Sequence, residues 1–371
     1  VADLLSAFNS SDRISMSISL AGKNTFQVGA KVSQYAINTS GAVSLSGSTS
    51  SATSLEGIRF RAQKDIFAQS QSTLFETAFA SATGDATSFA TYTSATSNIR
   101  SLQTDEFLGT LFKDQNIRLT TASSNLGASY KINSLQLNPG SSLFLAPNSV
   151  LTIGGAAALG GGILATGNTV INNGLITAGA ASDVLLYVTE GNTLTMNSVI
   201  TGAGGGSNAG FVKSGAGTVV LTKPVLANGQ YTINQGTVKL AAGNQTLWGY
   251  NQGNSFFSMT GGTLDLNGTV QMTGAIFQDN VPADSTPVIT STGGNSTLVI
   301  NAPDGRDFGG VITGPVGLAY GNTAAAAWTL WSDSTYTGPT LVYGGTLQLA
   351  GNARLSGTSA IELSYSALQI N

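Results

Sequence analysis

The chain has 371 residues, 15 of them basic and 18 acidic, so that only 9% are charged and the net charge is −3. An ordinary soluble domain carries about 25% charged residues, yet 41% hydrophobic content argues against general disorder. No basic run exists beyond Arg59, Arg61 and Lys64, and no stretch approaches the ~20 apolar residues of a membrane helix, so neither a nucleic-acid partner nor membrane insertion by this chain is expected.

The chain starts at Val1 without an initiator Met, which fits a processed product or a fragment. Residues 13–20 alternate apolar and polar without a break, placing Ile14, Met16, Ile18 and Leu20 on one face of a half-buried strand. Residues 25–28 and 31–33 are its expected partners. Residues 39–54 are nearly all Ser, Gly, Thr and Ala and read as a loop or spacer. Helical character is confined to 62–112, where Ile66, Phe67, Leu74, Phe75 and Phe79 make an amphipathic stripe. Thr104 there is the expected N-cap of a helix whose first turn holds Asp105 and Glu106. Residues 1–115 are therefore read as an N-terminal cap and assembly region of mixed strand and short helix.

From residue 116 to 371 the pattern is monotonous. Short apolar runs at 117–119, 132–137, 143–145, 150–153, 169–171, 175–176, 184–188 and 194–196 are separated by Asn-Pro-Gly, Asn-Asn-Gly and Gly-Asn, which are turn sequences. The clearest copies of the repeat follow. Ser214-Gly-Ala-Gly-Thr-Val-Val-Leu221 leads into 229–240, where Tyr231-Thr-Ile233 and Gly236-Thr-Val-Lys-Leu240 are strands with Gly or Asn at the turns. Variants recur at 261–268 and 336–352, and alternation in the last places Leu347 and Leu349 inward. Short strands recurring every 20–25 residues or so specify a β-helix, and residues 116–371 would make about ten coils. A sandwich rarely runs past ~250 residues, and a propeller repeats at ~40–45 with a fixed signature. The expected fold is all-β: a right-handed parallel β-helix preceded by the cap region.

The runs at 214–221, 229–240 and 336–349 resemble autotransporter-associated β-strand repeats, whose unit reads Gly-Ala-Gly-Thr-Leu-x-Leu, Tyr-Thr-Gly-Gly-Thr-x-Val, Gly-Thr-Leu-x-Leu. The close resemblance covers 212–244 and 328–355, a looser one 100–211, and residues 1–95 match poorly. It implies a secreted protein of Gram-negative type, extracellular or on the cell surface, like the passenger domains, fibres and adhesins of such bacteria. No amphipathic barrel pattern closes these residues, unlike an intact autotransporter.

Histidine and cysteine are both absent, which removes imidazole and thiolate nucleophiles, disulfides and the corresponding metal sites. Paired carboxylates could still cleave a glycoside, and Asp304 with Asp307, Asp279 with Asp284, and Asp105 with Glu106 are the candidates. Each pair sits among loop residues, where Asp ordinarily forms turns. Gly160-Gly-Gly162 and Gly204-Gly-Gly206 lack the βαβ context of a dinucleotide site and read as turns. No catalytic residue, metal site or cofactor is assigned. Two aromatic groups stand out: Trp248, Tyr250, Phe256 and Phe257, then Trp328, Trp331 and Tyr336. They read either as stacked core rings or as a platform for sugar rings or a subunit contact. The expected function is structural or adhesive. Expected partners are further copies of the chain, joined head to tail through the strand at 13–20, and surface glycans. A polysaccharide-binding or polysaccharide-cleaving β-helix is the alternative.

Overall fold

The computed structural model describes residues 18–19, 34–37, 43–46, 88–92, 99–110, 113–120, 124–154, 162–179, 183–202, 210–227, 229–247, 257–278, 286–302, 305–322 and 327–371. The chain divides into two units, Val1–Ala86 with Ala90–Leu102, and Thr87–Phe89 with Gln103–Asn371.

In the first unit, Ile18–Ser19 runs parallel to Gln34–Ile37, which pairs antiparallel with Val43–Ser46. The partner of Ile18 is Tyr35 rather than residues 25–28 or 31–33. Val43–Ser46 also corrects the reading of 39–54 as a spacer. Val43 and Leu45 alternate with serines, and pairing against Ile37 and Tyr35 supplies the strand partners that composition concealed. Ala90–Tyr92 pairs antiparallel with Ile99–Ser101. Ile14, Met16 and Leu20, and the helical stretch expected at 62–87, lie outside the described residues.

The second unit is a parallel β-solenoid of about 10 turns with almost no helix. Among the described residues its strands form ladders of 12, 8 and 7 strands. Each coil contributes short strands, as Phe211–Ser214, Thr218–Leu221 and Val225–Leu226 do. Val219 pairs with Val238 and Val238 with Leu264, steps of 19 and 26 residues. Coils of unequal length keep register because their turns, not their strands, absorb the difference.

Alternation fixes the inside. Thr218–Leu221 is half-buried, buried, half-buried, buried along its length, and Thr237–Leu240 repeats the pattern. Inward residues stack in columns from coil to coil. One column runs Ile117, Leu135, Ile163, Leu186, Lys213, Ile233, Met259, each at most 1% exposed. The next includes Phe211, Tyr231 and Phe257, whose rings lie 5.2 and 6.0 Å apart. Aromatic pairs at these spacings add to plain burial.

The Gly-Thr repeat is explained by how closely successive turns approach. A Cβ on Gly217 would lie 2.2 Å from the Thr189 carbonyl oxygen, and one on Gly236 would lie 2.2 Å from that of Gly217. The threonine that follows donates its N–H across the same gap, Thr237 to Gly217 at 3.1 Å and Thr263 to Gly236 at 2.8 Å. No other residue fits that glycine column.

Two expected boundaries differ. The Asn-Asn-Gly sequence bends a continuous strand, Thr169–Ala178, instead of ending one, because Asn173 and Gly174 both take left-handed φ, 60° and 56°. Gly344 and Gly345 do the same within Thr340–Leu349. Such pairs turn a corner of the coil without reversing the chain. The helix start expected at Thr104 is a single 3₁₀ turn, Thr104–Glu106, with Gln103 at its N-cap position and its N–H donating to the Glu106 carboxylate at 2.7 Å. Phe107 is already extended, so the acids serve one turn only.

Candidate functional site

The two ends of the solenoid differ. At the first coil, Leu108 bridges to Ile117, accepting from Arg118 N and donating to Asn116 O, both at 2.9 Å. The Arg118 guanidinium stacks 3.8 Å over the Phe107 ring and donates to Gln136 at 3.1 Å. Residues 103–108 thus cover the leading edge of Asn116–Leu119 with backbone bonds and a cation–ring contact.

The last strand, Ile361–Ile370, pairs with Thr340–Leu349 along almost its whole length. Register sets Leu363 against Val342 and Ile370 against Leu349. Val342 and Leu349 are 0% and 6% exposed, whereas Leu363 and Ile370 are 48% and 72% exposed. The final strand therefore carries the core pattern of the solenoid without a coil over it, and its outer edge has no strand partner among the described residues. Tyr365, at φ 50°, stands fully out at the bend. Glu362 is the sole charged residue from 355 to 371.

The aromatics separate. Trp328 is fully buried, stacked 6.3 Å from Phe308 and 5.8 Å from Tyr320, and its indole N–H donates to the Ile276 carbonyl at 2.8 Å. Tyr336 is also buried, hydrogen-bonded to Thr340 at 2.5 Å, and burial pushes its phenol up to about 12. Neither ring can touch a ligand or a partner. Trp331 is 47% exposed and lies against the Gly351 backbone, and Tyr343, which the sequence reading did not single out, is 49% exposed. Phe257 belongs to the inner stack. Trp248, Tyr250 and Phe256 lie outside the described residues.

Among the described residues the candidate acids form no catalytic pair. Asp307 is exposed on Arg306–Phe308, while Asp304, Asp279 and Asp284 lie outside the described residues. Asp105 lies in the 3₁₀ turn that Glu106 caps. Among the described residues no three acidic side chains converge as metal ligands would. A shallow hollow is lined by Lys113, Ser129, Tyr130, Lys131, Val150 and Thr152, but Lys113 is drawn 3.9 Å from Asp114. Among the described residues no helix is long and apolar enough to cross a membrane.

Alternation did contain one unread signal. Lys213 has the parity of Phe211 and is therefore inward, although it is a lysine. Likewise, Asp265 is 3% exposed and joins two coils, accepting from Thr292 N and Oγ1 at 2.9 and 2.5 Å with Lys239 Nζ 3.6 Å away.

No family model and no solved structure matches the chain. A curated protein described as an adhesin autotransporter, BmaC of Brucella suis biovar 1 (strain 1330), is 31% identical over 219 residues, 55% of this chain. The chain spans 6% of that protein's length. That similarity and the parallel solenoid beneath it fit an autotransporter-associated β-helix passenger.

Proposed function

We propose that this chain is part of an adhesive, non-enzymatic β-helix displayed on or secreted from the surface of a Gram-negative bacterium. The observation that carries the reading is the register-stacked parallel solenoid whose sequence matches a named autotransporter adhesin. The exposed rings of Trp331 and Tyr343 offer faces on which sugar rings stack, and the outward strand positions are mostly Thr and Val with few charges. Among the described residues a polysaccharide-cleaving reading finds no converging carboxylates in its support. Beads coated with the chain should adhere to glycan-coated surfaces and cultured cells, while beads coated with an unrelated β-solenoid should not. Equal adhesion of the two would sink the reading.

The finer part of the proposal is head-to-tail self-association. The apolar, nearly uncharged strand Ile361–Ile370 supports it, with the strand expected at 13–20, carrying Ile14, Met16, Ile18 and Leu20, of another copy as the matching end. A heterologous contact of that kind does not close and builds a filament. Sedimentation and electron microscopy should show filaments that a deletion of residues 1–35 abolishes. Fibres formed equally by the truncated chain, or a full chain that stays monomeric at high concentration, would remove this part and leave the adhesive reading intact.

A further inference from the structure

Lys213 occupies a position where the column above and below it is aliphatic: Ile117, Leu135, Ile163 and Leu186 on one side, Ile233 and Met259 on the other. It is 0% exposed. Its methylenes fill the column, and its head group has to be satisfied inside the protein or the site would be untenable. The described residues hold two ion pairs, Lys113–Asp114 and Lys239–Asp265, and Lys213 takes part in neither. Three ionisable groups nearby are engaged elsewhere. The Asp183 carboxylate accepts from Gly210 N at 2.7 Å, the Tyr231 hydroxyl donates to the Ala227 carbonyl at 2.7 Å, and Lys239 sits beside Asp265.

What surrounds the nitrogen is backbone carbonyl oxygen. Lys213 Nζ donates to Ser214 O at 2.9 Å, Gly215 O at 2.6 Å and Gln235 O at 3.0 Å. Two of these belong to its own turn and the last to the turn of the following coil. Glycine makes the convergence feasible. Gly215 has φ 75° and Gly236 φ 69°, and a Cβ on Gly236 would lie 2.6 Å from the Lys213 nitrogen. The same turns are tied by Asn234 N to Lys213 O at 2.9 Å and by Asn234 Nδ2 to Ser214 Oγ at 3.2 Å.

We propose that Lys213 is an internal cation: its ammonium is the tenant of a backbone carbonyl cage and clasps two successive coils together, at a site that takes a free alkylammonium ion when the side chain is cut short. The count of donors argues for the charged form. An ammonium has three N–H groups for the three carbonyls, whereas a neutral amine has two and turns its lone pair on the remaining oxygen. Burial alone pushes the group down to about 7, and the carbonyls work against that by bonding to the protonated form.

The test uses the full chain and three measurements. Lys213→Ala removes the atoms of n-propylammonium, so that ion is the matched probe and 1-propanol, of similar size but neutral, is its control. Amide exchange of Gly217, Asn234 and Thr237 should speed up about tenfold or more in Lys213→Ala. Propylammonium should slow it again and raise the thermal midpoint, and propanol should not. Should Lys213→Ala not fold, Lys213→Met keeps the column filled and should still lose protection at those amides. In the native chain, nitrogen-15 NMR should show the Lys213 side chain as an ammonium at pH 7. Rescue by propanol equal to that by propylammonium, no rescue by either, native protection in Lys213→Met, or a neutral amine at pH 7 would each overturn the proposal.

Discussion

Leu349 and Ile370 are register partners on adjacent strands, and one substitution at each separates burial from position in the repeat. Leu349 is 6% exposed beneath Leu330, while Ile370 is 72% exposed with no strand beyond it. Leu349→Asp deletes a buried aliphatic side chain, which costs about 2–5 kcal/mol. It also places a carboxylate in an apolar column with no partner, so the total should reach the upper end of that range, or the carboxyl should stay protonated. Ile370→Asp replaces a side chain that water already reaches, and should cost no more than about 0.5 kcal/mol. Coils of a solenoid contact only their neighbours, so the loss should appear locally. Hydrogen exchange of Thr340–Leu349 is the appropriate assay, supported by urea denaturation. A tolerated Leu349→Asp would mean the register is wrong. An Ile370→Asp as damaging as Leu349→Asp would mean the last strand is covered in solution and not open.

Other consequences are more compact. Burial raises the pKa of Tyr231 and moves that of Tyr336 to about 12, so both native phenols bind their protons more tightly than the unfolded ones. That stability is complete below about pH 10 and falls as pH rises toward 12, by about 1.4 kcal/mol per pH unit for each tyrosine. Phenolate absorbance that appears together with loss of the strand signal is expected, and phenolate formation with the fold intact would contradict it. Gly236→Ala puts a methyl 2.2 Å from the Gly217 oxygen at φ 69°, and the left-handed backbone alone costs about 1–2 kcal/mol. Gly243→Ala, also at positive φ but with open space around its Cβ, should show only that backbone cost, and equal losses at both would refute the glycine column. Asp265→Ala strands the N–H groups of Asn267 and Thr292 and should cost about 2–3 kcal/mol by urea denaturation, with an unchanged midpoint the contrary result.

How much of this was legible depends on how a solenoid encodes itself. Val238 and Leu240, and Leu347 and Leu349, alternate with polar neighbours, Val219 and Leu221 flank the outward Val220, and all six are inside. Parity alone finds such residues, since a strand has period two. Parity also applies to Lys213 and Trp328, which share faces with Phe211 and Leu330. Residue type argued the other way for Lys213 and concealed a buried cation, whereas for Trp328 it left core stacking and an exposed platform both open. Asn172-Asn173-Gly174 reads as a chain break because the same residues serve tight turns and corners. Only pairing on both sides of the bend reveals a single strand, as Thr169–Ala178 has with Thr193–Thr201. The strand at 361–370 was legible as well from its alternation, but the exposure of Leu363 and Ile370 needed coordinates.

The repeat that identifies the fold cannot also carry the specificity of the surface. Gly217, Gly236 and Gly262 are fixed by the approach of neighbouring turns, and the threonines after them are occupied in linking coils. The inward aliphatics are fixed by their columns. Residues free to differ without harming the stack are those off the pattern, at outward positions, corners and ends. Trp331, Tyr343 and Tyr365 are of this kind, rings held out from the surface beside other exposed apolar side chains such as Phe144 and Leu226. A solenoid with so little charge has weak long-range steering toward any partner. On the adhesive reading proposed above, recognition would therefore rest on contact over many coils, with exposed rings supplying the sites where a single contact is worth most.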